Sequence, residues 1–146
     1  MGAGELPITY RGIVRAEQCD HMGHMNVMWY VGKFDEGTWN LFASLGLTRS
    51  RMQKENRGVV AVEQHIEYKR ELRAGDTLTV RTKMVEAKGK VVRFTHEMTN
   101  DATGELSAVT HLVAVYFDTV ARKSDVLPVD FCERAARLIA EAGSSK

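Results

Sequence analysis

The densest run of groups able to do chemistry is Cys19-Asp20-His21-Met22-Gly23-His24-Met25-Asn26, which brings a thiol, a carboxylate, two imidazoles and an amide together. Asn26 has the side chain of a helix N-cap, and a helical pattern of apolar residues follows it, so the run lies at a helix N-terminus. The first amides of a helix lack intrahelical partners, and the macrodipole adds positive potential there. Such an end can stabilise an oxyanion or keep a carboxylate ionised. An ionised Asp20 could attack a carbonyl carbon or deprotonate the water that does so, and both routes are hydrolytic. Spacing alone reads Asp20 first as a turn or helix-approach residue, because aspartate is common before helices. His21 and His24 invite a metal reading, but no other Cys or His pair has ligand spacing, so no metal is expected. Gly23 is expected to supply a tight turn, and His24 a hydrogen bond within the loop. The chain has no GxSxG elbow, phosphate-binding loop or GxGxxG motif.

The elements around this run follow from periodicity. Residues 8–16 read as a first strand. From Asn26, the residues Val27, Val31, Phe34, Thr38, Leu41 and Leu45 recur at helical steps until Gly46, which is placed to end a helix of about twenty residues, roughly 30 Å long. Gly32 and Gly37 inside it each cost about 1 kcal/mol against alanine and suggest a close backbone neighbour. A polar connector is expected over Thr48–Gly58. The period then shortens to two. Strands are expected over Val59–Leu72, Thr77–Val85, Val91–Thr99 and Glu105–Phe117, separated by turns at Ala74-Gly75-Asp76, Lys88-Gly89 and Asn100–Gly104.

In the first of these, Gln64 interrupts the face formed by Val60, Val62, Ile66 and Tyr68, so it needs a polar partner; Glu63 and His65 share the other face. His96 and His111 read as hydrogen-bonded core histidines. A last helix starts at Pro128, presents Phe131, Ala135, Leu138 and Ile139, and ends near Gly143. The short turns exclude parallel crossovers. The expected fold is α+β, an antiparallel sheet of about five strands wrapped around one long central helix, with a short C-terminal helix.

A chain of 146 residues at net charge +1 reads as one domain over residues 1–146, with no global field to attract nucleic acid or an anionic membrane. The N-terminal stretch MGAGELPITYRG has no secretory pattern, and no apolar run reaches about eighteen residues. Cys19 and Cys132 read as reduced thiols, and the expected location is the cytoplasm.

Asp20-His21-Met22-Gly23-His24-Met25-Asn26 with Tyr30 resembles the DxxGHxN…Y signature of the 4-hydroxybenzoyl-CoA thioesterase family of hotdog proteins. Val59–Val62 with Glu63, then Tyr68–Arg73 and the Gly75-Asp76 turn, is similar to the family's second-strand stretch. The resemblance implies an acyl-CoA thioesterase without a cofactor, acting as a homodimer or dimer of dimers with sites at subunit interfaces. Carried over, Asp20 matches the catalytic aspartate, Val27 the residue whose backbone N–H polarises the thioester carbonyl, and Asn26 and His24 the loop-shaping positions. Gly23, Tyr30, Glu63 and His65 are the expected substrate-binding residues, Glu63 because some hotdog thioesterases use a glutamate base. Val27 stands where many relatives have a second asparagine, and Glu71 where proline is common. Two readings compete: a hotdog enoyl-CoA hydratase or dehydratase, and a non-catalytic acyl-CoA-binding module. The stretch from His24 to Asp35 also resembles betainyl-CoA thioesterases, with Trp29, Tyr30 and Trp39 as aromatic faces for a quaternary ammonium.

Overall fold

The computed structural model describes residues 5–143. The ends of the expected domain, and the first residues of the N-terminal stretch read for a leader, lie outside the described residues. In chain order the elements are β1 (Ile8–Ile13), one turn of 3-10 helix (Ala16–Gln18), α1 (Val27–Ser44), α2 (Arg49–Glu55), β2 (Arg57–Tyr68), β3 (Thr77–Lys88), β4 (Val91–Asn100), β5 (Leu106–Asp118), β6 (Lys123–Ser124) and α3 (Val129–Gly143). One antiparallel sheet runs in the order β1, β3, β4, β5, β2, with β6 added to β5. It curls around α1.

Asn26 starts α1 as expected: its backbone is extended and its side chain accepts from Met28 N–H. Gly46 follows the C-cap at φ +96°, a conformation that favours glycine. Phe34, Leu41 and Phe42 on α1 are essentially fully buried, each burial being worth about 1.5–3 kcal/mol. They meet the inward positions of the sheet, where Leu78, Val80, Met84, Val92, Phe94 and Met98 alternate with polar outward neighbours. Gly37 is tight: a Cβ there would lie 3.1 Å from Thr9 Oγ1 and 3.6 Å from Val80. Gly32 has open space instead, so only one of the two glycines answers the expectation of a close neighbour. α3 closes the far end with Phe131 and Ala135 buried in the cluster around Phe42.

Four expectations need correction. The stretch 48–58 is not all connector: Thr48 caps α2 by accepting from Arg51 N–H, Asn56 ends it at φ +55°, and the single buried anchor Met52 is too sparse to give a periodic signal. The second strand stops at Tyr68, and Leu72 turns inward to full burial. A bulge between Ala61 and Glu63 reverses the faces within β2. Val59 and Ala61 before it, and Gln64, Ile66 and Tyr68 after it, pair with the inward residues of β5, whereas Val60 pairs with Val115 on the outer side. His111 is exposed on the outer face, 3.0 Å from Thr95 Oγ1, because the alternation of β5 continues through it. His96 is the core histidine expected, held by Thr38 and Thr82 at 2.8 and 2.7 Å.

Candidate active site

The loop before α1 is closed by an isolated antiparallel bridge between Cys19 and Met25. Inside it Asp20 N–H donates to the His24 carbonyl at 3.1 Å and Gly23 N–H to the Asp20 carbonyl at 3.0 Å, with Gly23 at φ +88°. Met25 is buried and its N–H donates to the Leu72 carbonyl at 2.7 Å, which ties the loop to the segment after β2. The Cys19 and Cys132 thiols are both free.

Both carboxylate oxygens of Asp20 are engaged: Oδ1 accepts from Met22 N–H and Oδ2 from Asn26 Nδ2, each at 2.9 Å. These bonds, the Asn26 contact foremost, hold the carboxyl below its ordinary pKa, and the neighbouring His24 and His21 act in the same sense. Asp20 is therefore ionised at neutral pH. The Asn26 amide has a second task, since its Oδ1 accepts from Met28 N–H at 3.0 Å. One side chain thus fixes the carboxylate relative to the helix N-terminus. Val27 N–H, the first helical amide, has no partner among the described residues.

A cleft of about 200 Å³ opens beside that amide, lined by His24, Met25, Val27, Tyr30, Tyr68, Lys69, Arg70 and Glu71. Asp20 itself is not in its lining. Tyr30 is buried, its ring edge-on to Tyr68 at 5.1 Å, and burial pushes its phenol up. His24 Nε2 lies 3.3 Å from Glu71 Oε2. The structure thus brings together Asp20, Gly23, His24, Asn26, Val27 and Tyr30. It does not bring Glu63 and His65 to them. Both lie on the outer face of β2, where His65 stacks on His111 at 6.2 Å and contacts Glu67 at 3.5 Å. The inward residue is Gln64, whose Nε2 donates to Thr110 Oγ1 at 3.2 Å, the polar partner its position demands.

A larger cavity of about 360 Å³ lies between α1 and the strands β2, β4 and β5. Met28, Val31, Gly32, Asp35, Thr38, Trp39 and Phe42 line it from the helix, and Val59, Ala61, Gln64, Phe94, Leu112 and Ala114 from the sheet. Asp35 is its one ionisable group and has no ion-pair partner among the described residues. Sequence reasoning named this residue only as the end of the stretch resembling betainyl-CoA thioesterases and gave it no role, although Met28, Val31, Asp35 and Trp39 follow helical spacing and mark a second stripe on α1. Among the described residues no group of three or more His, Cys, Asp or Glu could hold a metal ion. No described helix is long and apolar enough to cross a membrane.

A family model described as the thioesterase-like superfamily matches residues 14–135. A curated relative, the L-carnitine dehydrogenase/betainyl-CoA thioesterase of Agrobacterium fabrum, is 28% identical over 109 residues, covering 75% of this chain and 22% of that protein. The chain therefore spans about a fifth of the length of that relative. Among solved structures, a hypothetical protein of Staphylococcus aureus in complex with CoA superposes with a TM-score of 0.88 at 22% identity, over 97% of this chain and 89% of that one. A 1,4-dihydroxy-2-naphthoyl-CoA thioesterase of Synechocystis gives a TM-score of 0.76 at 18% identity, over 93% and 97%.

Proposed function

The chain belongs to the thioesterase-like superfamily and has the hotdog fold, and from that premise we propose that it is an acyl-CoA thioesterase whose reacting carboxylate is Asp20. The observation that carries the reading is the double use of Asn26. It holds an ionised carboxylate and caps the helix whose first amide, Val27 N–H, is left free to polarise a thioester carbonyl. Asp20 Oδ adds to the acyl carbon, the C–S bonding pair leaves on the CoA sulfur, and water hydrolyses the resulting anhydride. In the alternative route the same ionised carboxylate deprotonates the attacking water, with the same Val27 N–H polarising the carbonyl. A single turnover in oxygen-18 water tests the choice: label in the Asp20 carboxylate, placed there by water attack on the aspartyl carbon of the anhydride, is expected, and absence of label together with absence of an acylated Asp20 in mass spectra of the quenched enzyme means general-base hydrolysis.

We assign a homodimer formed along β2. This edge strand of 12 residues carries the exposed Val60, Val62 and Tyr68 and no proline, the features of an edge that pairs with another copy. Glu63 and His65 would reach substrate only across such a contact. Residues 1–146 are taken as one catalytic unit, working in the cytoplasm.

The acyl group is assigned to the larger cavity. An unpaired carboxylate in an apolar wall, with Trp39 one turn beyond it, suits an acyl group that carries a cation. This agrees with the betainyl-CoA activity named for the Agrobacterium relative. Of the aromatic residues expected to face a quaternary ammonium, Trp39 lines the cavity, whereas Tyr30 is buried and Trp29 packs on the core. Thiol release from betainyl-CoA, aryl-CoA and short aliphatic acyl-CoA should be fastest with the first. Equal rates would remove the cation assignment, and no release from any of them would remove the thioesterase reading.

A further inference from the structure

The segment Glu71-Leu72-Arg73 is docked under the site loop by the buried Leu72 side chain and by the bond from Met25 N–H to its carbonyl. Residues flanking a buried one project the other way, and Glu71 does so into the cleft beside Val27. Its two oxygens are used separately: Oε2 meets His24 Nε2 at 3.3 Å, and Oε1 accepts from the Arg73 guanidinium at 3.2 Å. His24 Nδ1 has no partner among the described residues. The imidazole stands between two carboxylates, Glu71 in contact and Asp20 within the reach of its charge. His21 also acts on Asp20, and Lys69 and Arg70 share the cleft. Asp20, with both oxygens engaged and its proton lost well below neutrality, is badly suited to give a proton to a leaving group. An alkyl thiol is mostly protonated near neutrality, so a proton donor beside the sulfur assists departure of the thiolate.

Resting on the thioesterase reading, we propose that Glu71 is a positioning residue that holds His24 as the acid for the CoA leaving group. As the C–S bond breaks, its electron pair goes to sulfur. The His24 Nδ1–H bond breaks toward that sulfur and a thiol S–H bond forms, leaving a neutral imidazole. The imidazole regains its proton from bulk solvent, and water hydrolyses the acyl-Asp20 anhydride, releasing the acid and the Asp20 carboxylate, in a step that does not use His24. Glu71 fixes the ring by Nε2, so that Nδ1 is the nitrogen that donates.

The test varies the need for that proton. Wild type, Glu71→Gln and His24→Gln are assayed on betainyl-CoA and on the betainyl ester of 4-nitrothiophenol, whose thiolate leaves without protonation. On betainyl-CoA, kcat should fall about tenfold in Glu71→Gln and on the order of a hundredfold in His24→Gln, with KM little changed. On the nitrothiophenyl ester both variants should keep the wild-type rate within about twofold, an outcome that a merely structural role would not produce. Equal losses on the two esters, or none on either, overturn the role of the pair while leaving the thioesterase reading intact. A wild-type chain that cleaves neither ester fails at the thioesterase reading and removes this inference with it.

Discussion

His96 gives the fold a pH dependence that can be worked from its surroundings. The ring is fully buried, stacked on Phe34 at 5.7 Å, with Nε2 on Thr38 Oγ1 and Nδ1 on Thr82 Oγ1. Thr38 Oγ1 already donates to the Phe34 carbonyl at 3.1 Å, so it accepts from Nε2–H, and Nδ1 accepts from Thr82. That pattern fits a neutral imidazole, and burial alone brings its pKa from 6.5 down to about 4. The folded value lies below the unfolded one, so the unfolded chain binds the extra proton as pH falls. The stability is fully present above about pH 6.5 and is lost progressively toward pH 4. Linkage with these values gives a loss of about 2 kcal/mol between pH 7 and pH 5, and about 3 kcal/mol in all. Urea unfolding at fixed protein concentration from pH 7 to pH 5 should show that loss in the wild type. His96→Gln should be less stable at every pH but lack most of the slope. Equal slopes in the two proteins would refute the neutral buried histidine.

Asn26→Ala should lower stability by about 1 kcal/mol through the lost cap, seen in urea unfolding, and should lower thiol release far more than the stability change explains. Gly37→Ala should destabilise by about 1 kcal/mol despite its better helix propensity, because Thr9, held by Thr82 at 2.8 Å, cannot easily yield to the new Cβ. Gly32→Ala, where the space is open, should stabilise an isolated chain by up to about 1 kcal/mol. Arg51→Ala should cost at most about 1 kcal/mol, since its paired bonds to Asp130 at 2.8 and 2.9 Å join α2 to α3 at a partly exposed site; calorimetry checks the shift in melting temperature.

What was legible in the sequence had a local signature. The cap at Asn26, the stop at Gly46, the long apolar stripe of α1 and the period-two strands with glycine turns needed only near neighbours to be read. The bulge in β2 left no such mark, because Val60, Ala61 and Val62 are all compatible with either face; it turns Val60 outward and Val59 and Ala61 inward, while Gln64 keeps the inward place expected of it and Glu63 and His65 stay on the opposite face, away from Asp20. α2 escaped because one buried methionine makes no pattern. In the site itself, Asp20, Gly23, His24 and Asn26 were visible as a cluster, whereas Glu71 reaches His24 only through the fold, by way of the Met25 to Leu72 backbone bond. Asp35 was hidden differently: it is an exposed residue of α1 that becomes part of a cavity lining only because the sheet supplies the opposite wall.

The central claim is that the carboxylate held by Asn26 and Met22 reacts with the thioester. Asp20→Asn keeps an amide oxygen able to accept from Met22 N–H and removes the charge, and the site is exposed enough for the fold to persist. Thiol release by this variant, measured on the acyl-CoA that the wild type hydrolyses fastest, is predicted to fall on the order of a thousandfold with an unchanged melting transition. Release at the wild-type rate would contradict the account.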